Sequence, residues 1–204
     1  MKNIKKSQRS PLAMAILALL VEEPMHPYRM QQLIKERGKD EVINVRQRTS
    51  IYQTIERLLR DGLISVRETS REEGKPDRTI YEATEEGQST LQIWVREMLS
   101  TPQEEFPEFP AALSTIAALT SEDALQQLEK RMEALTKELS RLDEVFVTHQ
   151  DIIPRLFFLE VEYKRAITVA ELDWVRSLVG DLRTGALSWS KEWLEEVSNR
   201  LKNG

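Results

Sequence analysis

Three prolines within ten residues, in the stretch Thr101 to Pro110 (TPQEEFPEFP), divide this chain. Proline lacks a backbone N–H and biases its predecessor away from helix, so no helix is expected to run through the stretch. The 204 residues are therefore read as an N-terminal module over 1–100, a connector over 101–110 and a C-terminal module over 111–204. Phe106 and Phe109 are out of place in a free linker and are expected to pack against a module.

The N-terminal module has helical periodicity three times over. Ser10 followed by Pro11 is an N-cap with proline at the first helical position, and Leu12, Ile16, Leu19 and Leu20 follow on one face. A second helix is expected from about Pro27 to Arg37, stopped by Gly38. A third begins at Thr49 or Ser50, with Ile51, Ile55, Leu58 and Leu59 inward and Gly62 as its end. The period then shortens to two. Leu63 to Thr69 and Arg78 to Glu82 read as strands joined by the polar turn 71–77. Thr84 caps a further helix to about Leu99, with Leu91, Trp94, Val95 and Met98 inward. Three helices and a hairpin make a winged helix-turn-helix. The fold class expected for the whole chain is mainly α, with a two-stranded β wing and a helical dimerisation domain behind it.

Charge points the same way. The chain carries a net −5, but residues 1–81 hold 16 basic and 11 acidic side chains, and residues 82–204 hold 13 and 23. A basic head on an acidic body suits a nucleic-acid partner better than the average does. The third helix shows Tyr52, Gln53, Glu56, Arg57 and Arg60 away from its apolar face, with Arg46 and Arg48 beside its N-terminus. Such an N-terminus attracts phosphate, and Arg and Gln suit base edges in the major groove. Lys75 and Arg78 flank the wing turn. Without further context these residues could also be an ordinary solvated face.

Other chemistry is poorly supplied. There is no cysteine, only two histidines (His26 and His149) and seven glycines. Thiol chemistry, a His-rich metal site and a glycine-rich phosphate loop are therefore not expected, and no cofactor or metal is called for. Glu160 with Glu162, and Glu195 with Glu196, lie among many charges on amphipathic helices and read as solvated. His26 is expected to cap or pack. The basic start followed by LAMAILALLV imitates a secretory signal, but no small-residue cleavage site follows. The expectation is a cytoplasmic protein with no membrane partner that is not an enzyme.

Several landmarks in residues 10–99 together resemble the PadR family of bacterial transcriptional regulators. They are Glu23 to Tyr28 (EPMHPY), Ser50 to Leu59 (SIYQTIERLL), Asp61 to Ile64 (DGLI), Gly74 to Arg78 (GKPDR), Tyr81, and Thr84 to Gly87 (TEEG). Pro27 stands where the family usually has glycine, and Asp77 and Thr79 make the wing strand less basic. The resemblance implies a DNA-binding surface made of Arg46, Arg48, Ser50, Tyr52, Gln53, Arg57, Lys75 and Arg78. The alternative is a winged helix used as a protein-interaction module, since a fold does not fix a function.

The C-terminal module begins at Ser121. Leu125, Leu128, Met132, Leu135, Leu139, Leu142 and Phe146 follow at alternating spacings of three and four, the seam of a coiled coil. A second helix is expected from Pro154 to about Leu182, with more large apolar side chains than one stripe can hold. It should be covered on two sides, by the first helix and by a partner chain. The dimer interface expected is Leu128, Met132, Leu135, Leu139, Leu142, Leu159, Tyr163, Ile167 and Trp174. A last amphipathic helix is expected over 186–201. Two heads on a two-fold axis would read a palindromic operator on double-stranded DNA. Trp94, Phe106, Phe109, Phe157 and Phe158 could be plain core. The resemblance also implies, through inducer-responsive relatives, that they line a pocket for a small-molecule effector of a repressor.

Overall fold

The computed structural model describes residues 9–45, 48–70, 78–149 and 153–202. The chain forms two compact units, 1–104 and 105–204.

In the first unit, α1 (Pro11–Glu22) starts as its sequence dictates. Ser10 is extended, and its Oγ accepts from the Ala13 N–H at 3.2 Å. The helix α2 (Pro27–Glu36) is capped by His26, whose Nδ1 accepts from the Tyr28 N–H at 3.1 Å, so the expected capping role holds. Gly38, at φ 64°, turns the chain out of it in a conformation that favours glycine. The third helix, α3 (Arg48–Arg60), starts a residue or two before its expected cap. Strands β1 (Ile64–Ser70) and β2 (Arg78–Ala83) pair antiparallel, with a bulge between Val66 and Glu68. Met25 adds a short bridge to Tyr81 on the other edge, with bonds of 3.0 and 3.1 Å, which the sequence did not suggest. The helix α4 (Glu85–Ser100) closes the unit. Its Trp94 is buried as expected, but Val95 is exposed. The core joins Ile16, Leu17, Met30, Ile34, Ile51, Ile55, Leu58 and Trp94. The described part is thus a winged helix-turn-helix with a two-stranded wing.

The second unit opens with α5 (Glu108–Leu113), capped by Pro107. The proline-rich stretch does end α4, but its last residues start this helix. Pro110 sits in the first turn, where a missing N–H breaks no bond. The long helices α6 (Ser121–His149) and α7 (Leu159–Thr184) form an antiparallel hairpin around Leu128, Val175, Val179 and Leu182. A short 3₁₀ turn, Arg155–Phe158, precedes α7, so α7 starts later than Pro154 suggested. The final helix, α8 (Lys191–Lys202), also starts later than expected. Residues before it are held by the Trp189 indole N–H, which donates to the Leu119 carbonyl at 2.9 Å.

Ion pairs line the flank of the hairpin. Glu138 accepts from Arg141 at 2.8 Å and from Lys164 of α7 at 2.7 Å. The Arg141 hydrogen bond chiefly, with Lys164 adding to it, holds the Glu138 carboxyl down from 4.5 to about 2. A carboxyl lowered on folding stabilises above its unfolded pKa and loses that contribution as pH falls through its folded one. Glu138→Gln should therefore destabilise the hairpin at neutral pH by on the order of 1 kcal/mol, allowing for solvent screening. The difference from the parent should shrink between pH 4.5 and about 2. Urea midpoints measured across that range check it, and a gap constant with pH would refute it.

No helix among the described residues is long and apolar enough to cross a membrane.

Candidate nucleic-acid interface

The third helix divides cleanly by face. Ile51, Thr54, Ile55 and Leu58 are buried, and the Thr54 hydroxyl folds back to donate to the Ser50 carbonyl at 2.7 Å. Tyr52, Gln53, Glu56 and Arg60 are exposed. Their spacing places Tyr52, Glu56 and Arg60 along one ridge, two turns of α3 long, with Gln53 beside it. Arg60 has 73% of its side chain exposed and only a loose 3.4 Å contact with Asp61. It belongs to this ridge by its i+8 spacing from Tyr52, and the resemblance did not include it.

Arg57 behaves differently. It is half-buried, its Nη2 donates to the Ser10 Oγ at 3.2 Å, and its Nε is buried with no hydrogen-bond partner. Arg57 was expected on the DNA-facing surface. It instead braces α3 against the N-cap of α1, because it lies one residue round from the exposed ridge. Ser50 is half-buried in the first turn. Arg48 opens α3 and Arg78 opens β2, but their side chains lie outside the described residues, as do Arg46 and Lys75 altogether.

Two neighbours of the ridge escaped the sequence reading. Tyr28, on α2, is exposed and lines a small hollow with Pro27, Gln31, Ile51 and Tyr52. Tyr81, on β2, lies close enough to Tyr52 and Glu56 to feel both. Burial chiefly pushes its hydroxyl above the ordinary value, those two groups add to the rise, and Thr79 opposes it. The wing root and the recognition helix therefore share one surface. Arg67 sits at the β1 bulge, largely exposed, 3.6 Å from Glu82. No cluster of potential metal ligands occurs among the described residues.

The other expected residues fall in the second unit, except Trp94, which is core in the first. In the α6 seam, Leu128 and Leu142 are buried within the chain and have no surface left for a partner. Met132 and Leu135 pack on the same hairpin core, and Leu139 is half-buried. Leu128 and Leu142 thus serve the fold of their own chain and not a dimer interface, while Met132, Leu135 and Leu139 keep part of their surface. On α7 the outcome is the reverse. Leu159, Tyr163, Ile167 and Trp174 are all exposed, with Tyr163 at 70%, and they lie on one face opposite Leu172, Val175 and Val179. Of the five aromatic residues expected to share a pocket, the four in the second unit do not gather in one cluster. Phe106 and Phe157 are exposed, and Phe158 is buried edge-on to Phe146 near the end of α6. Phe109 meets Trp174 and Arg131, about four helical turns away along α6 from Phe146.

Residues 16–93 match the Transcriptional regulator PadR-like family. None of the curated proteins matches the chain in sequence. The fold is similar to Bacillus subtilis PadR in complex with operator DNA, at 19% identity and a TM-score of 0.70, over 86% of this chain and 99% of that one. It is similar to the same protein in complex with p-coumaric acid, at 19% identity and 0.69, over 84% and 98%. The Vibrio cholerae virulence activator AphA is also similar, at 18% and 0.65, over 85% and 98%. That family is one of transcriptional regulators. The comparisons thus agree on one likeness: residues 16–93 match the PadR-like transcriptional regulator family, and the fold of the chain is similar to that of solved PadR structures.

Proposed function

We propose that this regulator is a homodimeric repressor that binds a palindromic operator through α3 and the β1–β2 wing and leaves it in response to a small molecule. The observation that carries this reading is the uncovered ridge Tyr52, Glu56 and Arg60 with Gln53 beside it, on a helix whose other face is fully buried. The basic balance of residues 1–81 supports it, as does the operator complex of the B. subtilis relative. The uncovered apolar row on α7 supports a second copy as partner. The p-coumaric acid complex of that relative supports response to a small molecule.

Base contacts and phosphate contacts separate by experiment. Selection of bound duplexes from a random pool should return a palindrome with half-sites about one turn apart. On that operator, Gln53→Ala should cost about 1–3 kcal/mol and relax preference at one base position per half-site. Arg60→Ala should instead lower affinity on every sequence and flatten its salt dependence. Binding that ignores salt, or no enrichment in the selection, would favour a protein-interaction module instead.

A further inference from the structure

Tyr52, Gln53 and Arg60, on the exposed face of α3, can each donate a hydrogen bond to DNA. Glu56 cannot, since an ionised carboxylate only accepts. It nevertheless stands at the centre of the ridge, one turn from Tyr52 and one turn from Arg60, with its side chain exposed.

This carboxylate has no hydrogen bond or ion pair among the described residues, although two arginines are close to it in sequence. Arg60, four residues on, is placed as helical ion pairs commonly are, yet its Nε turns to Asp61 at 3.4 Å. Arg57 is held by the Ser10 hydroxyl at 3.2 Å. The charge is felt at the wing. Burial first, then Tyr52 and Glu56, raise the Tyr81 hydroxyl above its ordinary value. The carboxylate therefore lies on the side of the ridge where α3 meets β2.

On a surface that meets DNA, a bare carboxylate is repelled by every phosphate. One group in the major groove reverses the sign. Cytosine presents its N4 amino donor there, and a glutamate accepts from it. Guanine presents the acceptors N7 and O6, and thymine presents O4 and a methyl group. Adenine sets its N6 donor beside an N7 acceptor that repels the same carboxylate. A glutamate with no cation at its side thus favours one base over three. An unpaired charge also works against wrong partners, which is a second source of specificity.

We propose that Glu56 is a specificity-determining residue, accepting from the N4 amino group of one cytosine in each half-site and repelling DNA that lacks it there. This role rests on the function proposed above and refines it.

Selection of bound duplexes from a random pool tests it, run in parallel with the full-length parent, Glu56→Gln, Glu56→Asp and Glu56→Ala. The parent should return one cytosine per half-site that all three variants lose. Replacing that base pair in the operator should cost the parent about tenfold in affinity and leave Glu56→Asp and Glu56→Ala nearly unaffected. Glu56→Gln should move the preference at that position to adenine, because its amide donates to N7 while accepting from N6. A misfolded chain could not show such a gain. Glu56→Asp keeps the charge but withdraws it by one methylene, so it should lose the preference without gaining affinity for unrelated duplex. Glu56→Ala should gain that affinity, and the gain should fade as salt rises. All three should keep the parent's thermal midpoint, since the side chain is exposed. The same base frequencies from the parent and the variants would overturn the proposal and leave the proposed function standing. So would a Glu56→Ala chain that binds every duplex more tightly with no change at any one position, since the charge would then act by repulsion alone. A parent that enriches no sequence would overturn the proposed function and this role with it.

Discussion

Gly87→Ala should destabilise the N-terminal unit by about 3 kcal/mol, although alanine favours an isolated helix by about 1 kcal/mol over glycine. Gly87 lies in the first turn of α4 and its backbone is ordinary helix; the constraint is space. A Cβ there would stand 2.0 Å from the Leu63 carbonyl oxygen and 3.0 Å from its carbon, with a Leu17 methyl at 3.3 Å. The obstacle is backbone and cannot rotate away. Nor can the helix slide off it easily. The Thr84 hydroxyl accepts from the Gly87 N–H at 3.0 Å and donates to the Gly62 carbonyl at 2.8 Å. The Thr84 N–H donates to the Leu63 carbonyl at 3.1 Å. Relieving the clash means breaking this clamp or displacing β1 from the core. Urea unfolding followed through the emission of buried Trp94 measures the loss. Gly180→Ala is the control, because a Cβ at that position in α7 meets nothing within 4 Å and should stabilise by about 0.5–1 kcal/mol. A Gly87→Ala chain as stable as the parent would mean that α4 is free to shift.

What the sequence made legible was local. Ser10 with Pro11, His26 before Pro27, and Thr84 three residues before Gly87 each satisfy a helix end within one turn, and each does so in the structure. The switch from helical to alternating period located the wing. What escaped involves residues far apart in the chain. The Met25–Tyr81 bridge joins segments 56 residues apart, and nothing near Met25 announces it. Arg57 has the composition of a DNA contact, but Ser10, 47 residues away, claims its guanidinium. The seven-residue seam of α6 shows the same limit. Alternating spacings of three and four require that one face be covered, but they do not specify the cover. The structure supplies α7 of the same chain, and the apolar side chains left uncovered are those on the outer face of α7. The expected pocket residues show the same limit: Phe158 packs on Phe146 while Phe109 packs on Trp174 and Arg131, so the expected aromatics fall into separate clusters of the second unit.

Ile167→Lys should split the proposed dimer and cost operator affinity 100-fold or more while sparing the fold of the monomer. Ile167 is half exposed on the single chain, so the change touches no core there and should alter monomer stability by no more than about 0.5 kcal/mol. In a dimer the same position is the middle of the row Leu159, Tyr163, Ile167 and Trp174, which runs about 22 Å along α7 at 1.5 Å per residue. Two-fold symmetry places two such rows in one interface, so each substitution is made twice. A lysine buried there without a counter-charge costs several kcal/mol, more than rim contacts can offset. The aromatic members Tyr163 and Trp174 are the side chains expected to anchor the contact, and Tyr163→Ala should weaken association in the same direction but less. Loss of the dimer is felt at the operator because the second head binds at the effective concentration set by the first, a gain of about 10²–10⁴ without any new contact. Sedimentation equilibrium at micromolar protein and a titration of the operator measure the two effects. The half-site affinity should stay unchanged. An Ile167→Lys chain that remains dimeric would place the interface elsewhere on the second unit, with the uncovered apolar side chains of α8, Trp193 and Leu201, as the surface to examine next.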